Sequence, residues 1–323
     1  MKKLKFDVKA AYSFFKEKNY SNITQCTKDY CNENNIVYSD SYRRVLSNCI
    51  SKGTEIKRTE VTNAKVLILD IETAPLESYV WGVWNQNIGT NLDMVKSDWF
   101  ILTWSAKWLF DDCMISNKLS KGEALKEDDS RIVGILWTLL NQADVIIAHN
   151  ANKFDVKKMN SRFILNGLRP PTNYEVIDTL AHARKRFSMT SNKLDYLAKL
   201  LGVGKKIEHE GFNLWKKCRQ GNEEALSTMS KYNDGDVLLL EEVYLKMRPW
   251  IKPHPNMGLH VVEDLQVCPS CGSSELKWEG TAYRTYVNEY PTCICLSCGA
   301  ESRSRKAITS KSMNKNLLVS LPR

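Results

Sequence analysis

The stretch that decides the fold is Val66-Leu67-Ile68-Leu69-Asp70-Ile71-Glu72-Thr73, in which four apolar residues run into an acid, an isoleucine, a second acid and a threonine. An unbroken aliphatic run of this length predicts a strand buried on both faces. Side chains two apart on a strand point the same way, so Asp70 and Glu72 share one face. Two like charges at the end of a buried strand must be neutralised or offered to a cation. We read the pair as the core of a divalent-metal site.

Outward from this strand, further strand-like runs fall at 99–107 and 144–148, and the first run itself covers 65–70. Helical patterns cover 129–142, 154–166, 193–201 and 223–246. Strands followed by helices, with no repeats, predict an α/β domain built on a mixed sheet. Pro249, Pro253 and Pro255 end the last helix. Upstream, residues 51–64 are polar and aperiodic and read as a linker.

Residues 7–50 read as three short helices. Ala10, Ala11, Phe14 and Phe15 stripe the first, and Ser21 caps a second with Ile23, Thr27 and Tyr30 inward. Ser39 or Asp40 caps a third, striped by Tyr42, Val45, Leu46, Cys49 and Ile50. Arg43 and Arg44 fall outside that last stripe and face outward. Three small helices with a basic third one resemble a helix-turn-helix module. A helical cap packing on the next domain fits the same pattern. The predicted organisation is therefore 1–60 helical domain and linker, 61–255 α/β domain and 256–323 C-terminal module.

Two more acidic segments follow the first. In Val145-Ile146-Ile147-Ala148-His149-Asn150-Ala151-Asn152-Lys153-Phe154-Asp155, a short strand enters a polar turn and Asp155 opens a helix with Met159, Phe163 and Ile164 inward. An aspartate in a first helical turn is also favoured by the helix dipole. In Tyr232-Asn233-Asp234-Gly235-Asp236, Tyr232 and Asp236 are four apart on a helix and share a face, while Gly235 leaves room for a close approach. Asp234 lies on another face and is expected to be solvated.

Asp-x-Glu-Thr after a strand, then His-Asn-x-x-x-Phe-Asp, then Tyr-x-x-x-Asp, resembles the three motifs of DnaQ-like exonucleases of the tyrosine (DEDDy) branch. These belong to the RNase H-like superfamily. The resemblance covers about residues 65–248 and extends to Val176-Ile177-Asp178-Thr179-Leu180 and Lys193-Leu194-Asp195-Tyr196-Leu197-Ala198. It implies an RNase H-like mixed sheet with flanking helices and a metal-dependent 3'-to-5' exonuclease. Asp70, Glu72, Asp155 and Asp236 would hold two Mg2+ or Mn2+ ions about 3.5–4 Å apart, which activate water and neutralise phosphate charge. Asp70 would bridge both ions, Glu72 and Asp236 would complete the water-binding site, and Asp155 would support the second ion. Tyr232, with an ordinary pKa near 10, would position the water. Thr73, Asn150 and Phe154 are the implied substrate contacts, joined by Arg43 and Arg44 of the helical module. His149 reads as a hydrogen-bonded turn residue, Asp178 as the partner of a nearby cation, and Arg184, Lys185 and Arg186 as a phosphate track or a solvated face.

The ten cysteines are unevenly spread. Cys26, Cys31, Cys49, Cys113 and Cys218 are scattered, while five crowd the C-terminus. Cys268-Pro-Ser-Cys271-Gly and Cys295-Leu-Ser-Cys298-Gly are separated by 23 residues. Two such turns predict a zinc ribbon with one structural Zn2+ on four sulfurs. Cys293 is an alternative to Cys295, and the repeated Cys-x-x-Cys-Gly spacing favours Cys295. The intervening stretch reads as a hairpin with Tyr283, Tyr286 and Tyr290 exposed or half-buried. With Arg284, Arg303, Arg305 and Lys306 it suits nucleic acid, and a protein contact is the other use.

The net charge of +9 sits in the flanks. Residues 1–60 carry 12 Lys/Arg against 7 Asp/Glu, residues 265–323 carry 8 against 4, and the remainder carries 26 of each. Basic arms around a neutral centre suit a polyanion or form a solvated surface. No run of about 18 apolar residues is present to span a bilayer as a helix, and we expect no membrane partner. The Lys2, Lys3, Lys5 start leads into no signal-type apolar segment, and we expect a cytoplasmic protein, in the host cytoplasm if phage-encoded. Modular order resembles exonucleases of phages and mobile elements. The expected activity is 3'-to-5' degradation of DNA from single-stranded ends, with DNA preferred over RNA and a replication or repair protein as a possible partner. Exoribonuclease activity is the first alternative, and a DNA-binding regulator on an inert nuclease fold the second.

Overall fold

The computed structural model describes residues 11, 14, 18, 23–34, 62–85, 88–90, 92–261 and 265–321. The chain divides into two units, Met1–Thr59 and Glu60–Arg323. In the first, helix α1 (Ile23–Glu33) buries Cys26, Thr27, Tyr30 and Cys31. The Phe14 and Tyr30 rings meet edge to face at 5.5 Å. This is the second of the three expected helices. The third, with Arg43 and Arg44, lies outside the described residues, and so does most of the helix-turn-helix resemblance.

The second unit begins with β1 (Val66–Thr73), a small ribbon β2 (Glu77–Ser78) and β3 (Val95–Ser97), then β4 (Ile101–Trp108) and β5 (Ile115–Lys118). Helices α2 (Lys121–Lys126) and α3 (Ser130–Leu140) precede β6 (Val145–Ala148) and α4 (Asp155–Leu165). Then come β7 (Glu175–Asp178), α5 (Thr179–Arg186), α6 (Leu194–Leu200), α7 (Phe212–Arg219) and the long α8 (Glu223–Met247). The main sheet runs β5-β4-β1-β6-β7. Strand β1 is its centre, antiparallel to β4 and parallel to β6, so the sheet is mixed as the sequence predicts.

Strand parity places the acids. Leu67, Leu69 and Ile71 enter one hydrophobic cluster with Leu136, Met159 and Phe163 of α3 and α4. Val66 and Ile68 enter the other, with Leu197 of α6 and Val237, Leu240 and Val243 of α8. Asp70 and Glu72 continue the even-numbered series and therefore face α8. Both faces are covered, which is why β1 opens as an unbroken apolar run and why even Thr103, Ser105 and Lys107 of β4 are buried.

Expected and observed limits agree closely for β1, β4, β6, α3, α4, α6 and α8. Strands β5 and β7 and helices α2, α5 and α7 escape the hydrophobic pattern. Strand β5 is an edge of sequence Ile-Ser-Asn-Lys, and α5 ends in Arg184-Lys185-Arg186, so neither carries a full apolar face.

Beyond α8, β8 (Leu276–Arg284), β9 (Glu289–Cys295) and β10 (Glu301–Arg303) form an antiparallel sheet ordered β10-β9-β8, followed by α9 (Lys311–Lys315). The expected hairpin is β8–β9, with Tyr283 and Tyr286 exposed and Tyr290 half-buried. The two cysteine knuckles seat on the α/β domain. A Cβ at Gly272 would stand 3.0 Å from Thr62 Cβ, just before β1, and one at Gly299 would stand 3.7 Å from Pro249 Cγ, just after α8. The Met257 amide donates to the Pro269 carbonyl at 2.8 Å, and Lys252 pairs with Glu301 at 3.1 Å. Among the described residues no helix is long and apolar enough to cross a membrane.

Candidate active site

Three elements converge on one acidic cluster. Strand β1 supplies Asp70 and Glu72, α8 supplies Tyr232, Asn233 and Asp236, and the first turn of α4 supplies Asp155. Carboxylate oxygens of Asp70, Glu72 and Asp236 lie within 4.8 Å of one another, close enough to share a metal ion. Asp155 is 1% exposed, and its charge acts on Asp70 more strongly than that of Glu72 or Asp236 does.

Burial and crowding push all four acids upward. Asp70 is raised well above the carboxylate range by burial, then by Asp155, Glu72 and Asp236, against the pull of Lys206. Burial carries Glu72 up to about 7, opposed by the Trp215 hydrogen bond. It carries Asp155 up to about 7, opposed by the amides of Asp155 itself and of Ile71. Both Asp155 oxygens are buried without a hydrogen-bond partner, as is Oδ1 of Asp236. Asp236 is raised by burial and pulled back by Lys206. Buried carboxylate oxygens with no donor cost several kcal/mol if charged, so the donor set fits hard divalent cations.

Three polar side chains that the motif reading did not pick out hold this cluster. Asn233 Nδ2 donates to Asp70 Oδ2 at 2.5 Å, and Trp215 Nε1 donates to Glu72 Oε2 at 3.1 Å. Lys206 Nζ donates to Asp236 Oδ2 at 2.5 Å and to the Tyr232 hydroxyl at 2.8 Å. Burial works to lower the Lys206 pKa, but Asp236 and Tyr232 outweigh it and raise it. The Lys206 amide is pinned by Asp195 Oδ1 at 2.9 Å. Its neighbour Ile207 closes on Gly235, where a Cβ would meet Ile207 Cδ1 at 2.8 Å. The close approach that Gly235 permits is thus the loop that delivers Lys206. The one signal for this lysine in the sequence was its loop, Gly202-Val203-Gly204-Lys205-Lys206, too generic to assign.

Tyr232 is buried, and its hydroxyl is raised to about 12 by burial and by Asp236. His209 stacks edge-on against both Tyr232 and Trp215, with ring centroids 4.8 and 5.0 Å apart.

The turn before α4 is rigid. His149 bridges Thr179 Oγ1 at 2.9 Å and the Asn192 carbonyl at 3.0 Å, and burial lowers its pKa to about 4. It is a hydrogen-bonded turn residue, as expected. Asn150 adopts φ +78°, the left-handed conformation that asparagine tolerates. Asp178 departs from the sequence reading. It accepts from the amides of Asn150, Asn152 and Ala181 at 3.0–3.1 Å, clamping the turn and capping α5, instead of pairing with a cation. Asp234 is likewise not merely solvated, for it accepts from Ser105 Oγ at 2.6 Å. Thr73 and Phe154 are half-buried at the ends of β1 and of this turn.

At the other metal candidate, sulfurs of Cys268, Cys271, Cys295 and Cys298 also lie within 4.8 Å of one another, and Cys293 stands outside the group on β9. The knuckles are built alike. Gly272 and Gly299 have φ of +75° and +76°, and their amides donate to the Cys268 and Cys295 carbonyls at 2.8 Å. Hydrogen bonding with Cys271 and Cys298 pulls the Cys268 thiol down and pushes those of Cys271 and Cys298 up, and four sulfurs so grouped are a donor set that suits zinc.

Residues 114–248 match the family model of the RNase_H superfamily. The match spans β5 through α8, including Asp155, Tyr232 and Asp236, and begins after the strand that carries Asp70 and Glu72. No curated protein matches the chain. The matched segment, less than half of the chain, and the mixed five-stranded sheet fit an RNase H-like fold, and members of that superfamily are mostly hydrolytic nucleases that use divalent metals. This likeness suggests nuclease-type activity, which the residues of the site must carry.

Proposed function

We propose that the chain is a metal-dependent 3'-to-5' exonuclease that shortens DNA from single-stranded ends. The observation that carries this reading is the convergence of Asp70, Glu72 and Asp236 within 4.8 Å, beside a buried and unpartnered Asp155. Asp70, Glu72, Asp155 and Asp236 would hold two Mg2+ or Mn2+ ions, which when bound lower the pKa of water and neutralise charge on the phosphate and leaving oxygen.

The protein's own part is positioning. Asn233 and Trp215 fix the rotamers of Asp70 and Glu72, so these ligands are ordered in advance. Tyr232, raised to about 12, keeps its proton near neutral pH and orients the attacking water by hydrogen bonding instead of serving as a base. Lys206 donates to the Tyr232 oxygen, which leaves the phenolic O–H to donate elsewhere. Thr73, Asn150 and Phe154, placed where β1 and the α4 turn end, would contact the terminal nucleotide. The group of four knuckle cysteines would hold one Zn2+ and present the basic, tyrosine-bearing ribbon to nucleic acid.

Incubating 3'-labelled single-stranded DNA and RNA of one sequence with Mg2+, Mn2+ or chelator tests the reading. Wild type should release labelled mononucleotide from DNA faster than from RNA, and Asp70→Ala should release none. Faster release from RNA would make it an exoribonuclease, and no release from either would leave a binding protein.

A further inference from the structure

The turn between β2 and β3 exposes a group of large apolar side chains. Trp81 is 97% exposed, Trp84 and Val83 are each 83% exposed, and Tyr79 and Leu92 also face solvent. From Tyr79 to Leu92 the sequence contains no Asp, Glu, Lys or Arg. Isolated exposed apolar residues are ordinary, but several large exposed apolar side chains within one short turn mark a contact surface.

The root of this ribbon is built rigidly. The buried Arg219 guanidinium donates to the Pro75 carbonyl at 2.7 Å and the Asp98 carbonyl at 3.1 Å, on either side of the ribbon. It also pairs with Glu77 at 3.2 Å and Glu127 at 2.7 Å and donates to Ser97. The Tyr79 amide closes onto the Met94 carbonyl at 2.8 Å.

That root and the carboxylate cluster share one helix. Phe212, Trp215, Lys216 and Arg219 fall at i, i+3, i+4 and i+7 of α7 and therefore line one face. Trp215 holds Glu72, and Arg219 holds the ribbon. Between them Phe212 and Lys216 wall a cavity of ≈170 Å³ together with Leu76 and Glu77. Trp81 lies eight residues beyond Thr73, so within about 28 Å of it along the chain. Aromatic and apolar side chains with a lysine beside them thus lie between Glu72 and the root of the ribbon.

We infer that the β2–β3 ribbon is a stacking finger for unpaired nucleobases of the strand whose end occupies the carboxylate site. The inference rests on the nuclease reading for its ligand and on the α7 geometry for its place. A tip without charge cannot grip phosphates, yet it does not repel a polyanion. Indole and phenol faces accept any base, which is what a nuclease indifferent to sequence needs. The phosphates would instead pass Lys216 at the root.

The test separates this surface from catalysis by measuring binding in the inactive Asp70→Asn background. Affinity is compared for a 15-nucleotide oligothymidylate and an abasic strand of equal length, with Trp81→Ala and Trp81→Phe added in turn. Trp81→Ala should weaken oligothymidylate binding by about tenfold or more and leave the abasic strand within about twofold, while Trp81→Phe should restore most of the loss. Equal affinity of Trp81→Ala and its parent for oligothymidylate would overturn the inference, as would equal losses on both strands. A Trp81-dependent dimer in sedimentation, without an effect on the strand, would also overturn it and assign the tip to a second copy of the chain. Hydrolysis by the otherwise wild-type protein is scored separately, so a chain that binds through Trp81 but cuts nothing would sink the exonuclease reading alone.

Discussion

The Lys206 ammonium lies 2.5 Å from Oδ2 of Asp236, so a cation carried by a loop between α6 and α7 neutralises one of four crowded carboxylates. Because it also donates to Tyr232, Lys206 ties the charge of the cluster to the orientation of the phenol. Lys206→Met keeps the chain length and removes the charge. It should cost about 2 kcal/mol in the absence of divalent ions, since Asp236 is left buried without its partner. Hydrolysis with saturating Mn2+ should fall by about tenfold or more through loss of Tyr232 orientation. Denaturant melts and single-turnover rates read the two effects apart, and an unchanged rate would remove Lys206 from the mechanism.

The acids predict a pH dependence of defined sign. Glu72 and Asp155 stand at about 7 in the folded protein, above their ordinary values of 4.5 and 3.8. A carboxyl with a raised folded pKa stabilises the fold below its unfolded pKa, and that contribution is lost as pH rises through about 7. Without added Mg2+ or Mn2+ the thermal midpoint should therefore lose this contribution between about pH 4 and pH 7. Ion binding needs the deprotonated forms, so the increment in midpoint produced by Mn2+ should grow from pH 6 to pH 8. A Mn2+ increment independent of pH would show that these carboxylates are not its ligands.

Asp178 collects three backbone amides and so controls the turn that presents Asn150 and Asp155. Asp178→Ala leaves those amides without acceptors and removes a helix cap. We expect a loss of about 2–3 kcal/mol by chemical denaturation. Asp178→Asn keeps one acceptor oxygen and should lose less. Equal losses for the two variants would mean that charge, not hydrogen bonding, is what the turn requires.

Much of this site was legible because local sequence pattern fixes the relevant geometry. The even-numbered positions of β1 put Asp70 and Glu72 on one face, and i, i+4 spacing puts Tyr232 beside Asp236 on α8. The twin Cys-x-x-Cys-Gly turns fold as two like knuckles for the same reason. What escaped depends on tertiary contacts. Lys206 and Trp215 reach the carboxylates from loop and helix positions with no fixed offset from the motifs. Asp178 looks like a charge in search of a cation until β7 is known to pair with β6, which brings the Asn150 turn over it. Strand β5 is polar because it is an edge, and only the presence of β4 beside it makes it a strand.

The ribbon should stabilise the α/β domain as well as itself. Its knuckles press on Thr62, at the approach to the strand of Asp70, and on Pro249, at the exit from the helix of Asp236. Structural zinc contributes folding free energy directly. Elemental analysis should find one zinc per chain in wild type and none in Cys271→Ser/Cys298→Ser. The double variant should melt roughly 4–8 °C lower, as a loss of about 2 kcal/mol would produce. Hydrogen exchange should quicken at 62–66 and 248–252. Unchanged exchange there would make the ribbon an independent appendage.

The most direct measurement is a time course on a 5'-labelled single-stranded DNA in Mn2+, resolved on a denaturing gel for wild type and Asp236→Asn. A two-ion site built from Asp70, Glu72, Asp155 and Asp236 predicts a ladder that shortens one nucleotide at a time from the 3' end in wild type, and an intact strand in the variant. Immediate release of short 5'-labelled products, internal cuts without a ladder, or the same ladder from Asp236→Asn would contradict the account.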